Sequence, residues 1–131
     1  ISEIKSGLYD FVVVNYANPD MVSHTGNIPA TIAACTVTDN CIGQLSQAIV
    51  PSGGILLITA DHGNAEEMIN PATGASDTEH NANPVPFILT GQNYTNPTQV
   101  SQGILADVAP TILSLLSIPV PVSMIGRNLL G

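Results

Sequence analysis

Hydrophobic residues fall along this chain in three short runs and two periodic stretches, separated by polar loops. The first run, "YDFVVVNYA" (9–17), is β-branched, aromatic and nearly continuous, which predicts a strand covered on both faces. From Ile28 to about Val50 the apolar positions are 28, 32, 35, 42, 45 and 49, a helical period. Asn27 stands where a capping side chain belongs, Pro29 falls in the first turn, and "PSGG" (51–54) ends the helix. "ILLITA" (55–60) and "VPFILTG" (85–91) predict two further strands, and "ILADVAPTILSLLSI" (104–118) a closing helix with Pro110 in an early turn. The succession predicts a right-handed strand–helix–strand crossover and an α/β fold, a mostly parallel sheet with flanking helices.

The polar stretches are as informative. "NPDMVSHTGN" (18–27) reads as a loop or a single helical turn. Residues 63–84, punctuated by Asn70-Pro71, Thr73-Gly74 and Asn83-Pro84, form a long loop of the kind that is usually functional or disordered. The loop 92–100 is rich in Asn, Pro and Thr; its Asn93-Tyr94-Thr95 sequon is read as a chance match. No internal repeat or domain-boundary linker interrupts the pattern.

Composition narrows the function. At 131 residues and 44% hydrophobic, the chain suffices for one core. Only Lys5 and Arg127 are basic, against ten acids, for a net charge of -8. So acidic a surface repels nucleic acid and anionic membranes, attracts cations, and cannot grip an anionic substrate unaided. No apolar run approaches the ~20 residues of a membrane-spanning helix. Cys35 and Cys41, six apart on the long helix, are badly spaced for a disulfide and fit a reducing cytoplasm.

All three histidines fall in loops at strand ends, where open α/β sheets gather their ligands. If "DMVSHT" makes one helical turn, Asp20 and His24 share a face and can meet one ion; alternatively Asp20 is a cap and His24 a surface residue. Asp61 and His62 end a buried strand, and Gly63 lets the chain turn so that both face one site. The other reading has Asp61 accepting loop N–H groups with His62 solvated. His80, beside Asp77 and Glu79, gains weight only as a third converging imidazole. Imidazole mixed with carboxylate suits zinc, manganese or similar divalent ions, and five candidate ligands suit two incomplete sites better than one closed one.

Three segments, "NYANPDMVSHTGN", "LITADHGNAEEM" and "TEHNANPVPFILTG", resemble in order and spacing the carboxyl-terminal part of the cofactor-independent (2,3-bisphosphoglycerate-independent) phosphoglycerate mutases, in the alkaline phosphatase superfamily. "LADVAPTILSLL" and "MIGRNLL" are similar to that family's closing helix and tail. The resemblance implies a metal-dependent interconversion of 3-phosphoglycerate and 2-phosphoglycerate through a phosphoserine, in a cytoplasmic, monomeric enzyme of glycolysis. It implies two divalent ions, manganese foremost, with magnesium, cobalt or zinc as alternatives. Asp20, His24 and His80 would hold one ion; Asp61 and His62 would be half of the second site. The nucleophilic serine and the inserted substrate-binding domain have no counterpart here, and Ser23, Ser46 and Ser52 do not match the nucleophile motif. Residues 1–131 are thus expected to be a carboxyl-terminal segment of the phosphatase-like domain, inactive alone. The alternatives are another phosphotransferase or phosphatase of that superfamily, or a non-catalytic metal-binding domain.

Overall fold

The computed structural model of the chain describes residues 1–94 and 100–131. Thr95 of the sequon, and most of the loop 92–100, lie outside the described residues. Two compact units result, Ile1–Thr95 and Asn96–Gly131.

In the first unit, α1 (Ser2–Lys5) and α2 (Asn18–Ser23) are short, and α3 (Ile28–Ile49) is the long element. Local chemistry sets the start of α3. The Asn27 side chain accepts from the Ala30 N–H at 3.0 Å, satisfying a donor that has no partner within the helix. At its far end the chain tightens through a 3-10 turn, Val50–Ser52, and Gly53 takes φ +85°, a conformation that favours glycine.

Strands β1 (Leu56–Thr59) and β2 (Phe87–Thr90) pair with Leu57 opposite Leu89 and Ile58 opposite Ile88. Helices with a small sheet give the α/β class, but two expectations are corrected. The pairing is antiparallel, not parallel. Residues 9–17 join no ladder among the described residues, so no parallel crossover forms. A strand exists by its partner's backbone, and here Tyr9, Phe11 and Val13 remain exposed without one.

The expected apolar stripe of α3 is also only partly covered. Leu45 is buried, whereas Ile32 is 61% exposed, since two short strands offer too little surface to cover a 22-residue helix.

The 63–84 segment is no structureless loop. Its arms fold back on each other through bridges Gly63–Asn81 and Ile69–Ser76. Asn70 fastens the tip, its side-chain oxygen accepting the N–H groups of Ala72 and Thr73 at 3.0 and 3.1 Å. The arms leave β1 and return to β2, so residues far apart in sequence meet at their base.

The second unit holds a 3-10 turn, Leu105–Asp107, running into α4 (Val108–Leu115), with Pro110 and Thr111 buried in its first turns. The expected helix 104–118 is therefore shorter and tighter at its start. Asp107 is the hub. Its carboxylate accepts the N–H of Ile104 and that of Arg127, both at 2.8 Å, and its carbonyl accepts the Thr111 hydroxyl at 2.7 Å. The Thr111 oxygen in turn accepts the Leu129 N–H at 3.0 Å. The N–H groups of Ile104 and Arg127 hold the Asp107 carboxyl below the usual carboxylate range, outweighing burial, and the Arg127 charge adds to them.

Candidate metal centre

Helix α2 presents Asp20 and, as its C-terminal cap, His24. One turn separates them, and Asp20 Oδ1 lies 3.2 Å from His24 Nε2. Asp20 therefore does not cap α2, whose N-terminus has no side-chain cap. His62 follows β1 at the base of the folded loop, and His80 sits on the returning arm beside it. Their rings stack at 3.7 Å between centroids, 20° from parallel.

These side chains converge on one point. His80 Nε2 is 3.0 Å from Asp20 Oδ1 and 3.1 Å from His24 Nε2; His62 Nε2 is 4.0 Å from Asp20 Oδ1. One ligand atom each from Asp20, His62 and His80 falls within a 4.8 Å span. Asp61 stands at the edge, 3.6 Å from His62 Nε2, its side chain 89% exposed.

Hydrogen-bond accounting shows what this point favours. His24 Nδ1 lies 2.6 Å from the Thr78 carbonyl, which can only accept, so Nδ1 carries the proton. In the neutral ring Nε2 is then a bare lone pair, aimed at Asp20 Oδ1 and His80 Nε2. A single proton on His80 Nε2 cannot serve both neighbours, so lone pairs face one another. A divalent cation resolves that conflict, as would a second proton on the His24 ring. Two ligands each about 2.1 Å from one tetrahedral ion stand ~3.4 Å apart, and the separations here, 3.0 to 4.0 Å, bracket that spacing. The backbone carbonyl behind His24 is the usual device for fixing a ligating ring's tautomer and orientation. The residues fit a divalent ion.

All five residues singled out in the sequence lie at or beside this point. His24 Nε2 stands nearer Asp20 Oδ1, at 3.2 Å, than His62 Nε2 does, at 4.0 Å, while the His62 ring stacks on that of His80. Sequence reasoning missed the supporting residues. Glu66 Oε2 accepts the Asn64 N–H at 2.8 Å, and Glu66 Oε1 accepts the Asn83 side-chain amide at 2.9 Å. Burial works against the charged form of Glu66. Hydrogen bonds from Asn83, the Asn64 backbone and others prevail and bring its pKa down to about 2. The available signal was the density of Asn among the acids and His of "DHGNAEE" and "TEHNAN".

The metalloenzyme superfamily profile matches residues 1–120. The chain belongs to the metalloenzyme superfamily. Among its relatives there, the 2,3-bisphosphoglycerate-independent phosphoglycerate mutase of Clostridioides difficile is 50% identical over 94% of this chain and 24% of its own length. That of Rhodopseudomonas palustris is 47% identical over all of this chain and 25% of its own. A crystal structure of Leishmania mexicana phosphoglycerate mutase, solved at low cobalt concentration, superposes with TM-score 0.81 at 29% identity, covering 98% of this chain and 26% of that one. The chain thus spans about a quarter of the length of these superfamily relatives.

Proposed function

We propose that this chain is the metal-binding portion of a 2,3-bisphosphoglycerate-independent phosphoglycerate mutase, which interconverts 3-phosphoglycerate and 2-phosphoglycerate through a phosphoserine. The observation that carries the reading is the meeting of Asp20, His24, His62 and His80 at one lone-pair-rich point, in a chain about half identical to mutases of that name.

When bound, a divalent cation, manganese foremost, would supply positive charge to activate a serine hydroxyl and offset charge on phosphoryl oxygens. The chain's own residues prepare the place for it. Asp20 contributes the negative charge. Thr78 fixes the face that His24 presents, and the stacked rings of His62 and His80 limit each other's rotation. Asp61, exposed beside His62, is placed to share a second ion with ligands from outside this chain.

In this reading neither Ser23 nor Ser52 is the nucleophile; their hydroxyls donate to the carbonyls of Asp20 at 2.8 Å and Ile49 at 2.7 Å. The serine and the cations that grip the substrate come from other parts of the full-length protein, since this chain has only Lys5 and Arg127. No described helix is long and apolar enough to cross a membrane; a cytoplasmic monomer acting on a small phosphorylated acid is the accompanying reading.

The test is a turnover assay of the full-length protein. It should convert 3-phosphoglycerate to 2-phosphoglycerate, lose activity to a chelator and regain it with Mn2+. Sugar-phosphate isomerisation or net release of phosphate in its place would assign the protein to another phosphotransferase or phosphatase.

A further inference from the structure

The folded loop between β1 and β2 raises a question that the ligands do not answer. Bonds of two kinds tie its two arms at the base. Asn81 N–H donates to the Gly63 carbonyl at 2.9 Å, and the Asn64 amide donates to the Glu79 carbonyl at 3.2 Å. These fix the register of the arms. Glu66 instead spans them with an ionised side chain: one oxygen takes the N–H of Asn64, two residues after His62, and the other the amide of Asn83, three after His80.

No Lys or Arg pairs with Glu66 among the described residues, so its charge is met by amide donors alone. Its carboxylate also lies directly over Gly63, where a Cβ would come 2.5 Å from Oε1 and 2.0 Å from Asn81 Oδ1. The residue next to His62 is therefore a glycine because Glu66 and Asn81 occupy the space a side chain would need.

We propose that Glu66 is the positioning residue of the centre, clamping the turn that carries His62 to the arm that carries His80 and so setting the ring-to-ring stacking distance. The function of that clamp rests on the metal-site reading, but its geometry does not. It acts through Asn64, Asn83 and the turn at Gly63.

The test uses the full-length protein, 15N-histidine-labelled and metal-free at one fixed pH, with imidazole 15N resonances as the first readout and Mn2+ affinity as the second. Glu66→Gln keeps the size and one acceptor but turns a donor toward a donor. It should shift the resonances of His62 and His80 and weaken Mn2+ binding roughly 10-fold. Asn83→Ala, which removes the far end of the clamp, should do the same and decides the matter if Glu66→Gln does not fold. Glu67→Gln, which loses only a 3.2 Å contact to Asn83, should move neither. Unchanged imidazole resonances in folded Glu66→Gln and Asn83→Ala overturn the clamp. If those resonances move while the unsubstituted chain binds no Mn2+, the clamp stands and the metal reading falls. If Mn2+ binds all variants equally and the resonances stay in place, the reverse holds.

Discussion

Asp20 and Asp107 are both carboxylates at helical turns, and their surroundings differ in kind. Asp107 is buried and served by the chain itself: two backbone N–H groups on its oxygens and a hydroxyl on its carbonyl. Asp20 is half-buried and faces three imidazoles, with no backbone N–H on its carboxylate among the described residues. The first arrangement is complete and holds a fold together. The second gathers side-chain ligand atoms that could hold a metal ion, and that difference distinguishes a candidate site from a strut.

Substitutions should separate the two. The largest effect is expected at the metal: Asp20→Asn should weaken Mn2+ binding by ~100-fold or more while moving stability by no more than ~0.5 kcal/mol. An unchanged affinity, read by electron paramagnetic resonance of free Mn2+, would make Asp20 a mere surface acid. Asp107→Ala should do the opposite. It strands two buried N–H groups, so the melting temperature should drop by about 5 °C or more, with Mn2+ affinity of the folded chain unaffected. Next comes Gly63→Ala, whose new methyl must displace Asn81 or Glu66; a loss of ~1–3 kcal/mol is expected in denaturant unfolding, together with weaker metal binding.

Smallest is the acid limb. Glu66 has a folded pKa of about 2 against an ordinary 4.5, so its unfolded form binds protons first. Its contribution to stability is complete above about 4.5 and disappears as the pH falls toward 2. Glu66→Gln should flatten the fall in stability across that window and leave neutral-pH slopes alone. An identical acid limb in the variant would mean that the carboxylate is not held as described.

The same contrast shows what could be read from the residues. The start of α3 was legible because a cap is local: Asn27 and Ala30 are three apart, and the bond between them is made. Strand positions 56–59 and 87–90 were legible from β-rich hydrophobic runs. Their direction was not, because alternation and composition say nothing of which way a partner runs. Residues 9–17 carry the same signal, yet no partner meets them among the described residues, which no local pattern can report. At the site, residue chemistry and strand-end placement picked out Asp20, His24, Asp61, His62 and His80. The return of 76–81 along 63–69, which delivers His80 to His62, depends on pairings across a polar loop and left no periodic trace.

Convergence of these side chains on a divalent ion is tested most directly by anomalous diffraction at the manganese edge from crystals soaked in Mn2+. The expected result is a peak about 2.0–2.3 Å from Asp20 Oδ1 and the Nε2 atoms of His80 and at least one of His24 and His62. Manganese bound only at other acids, or the three imidazoles left unligated at saturating Mn2+, would contradict it.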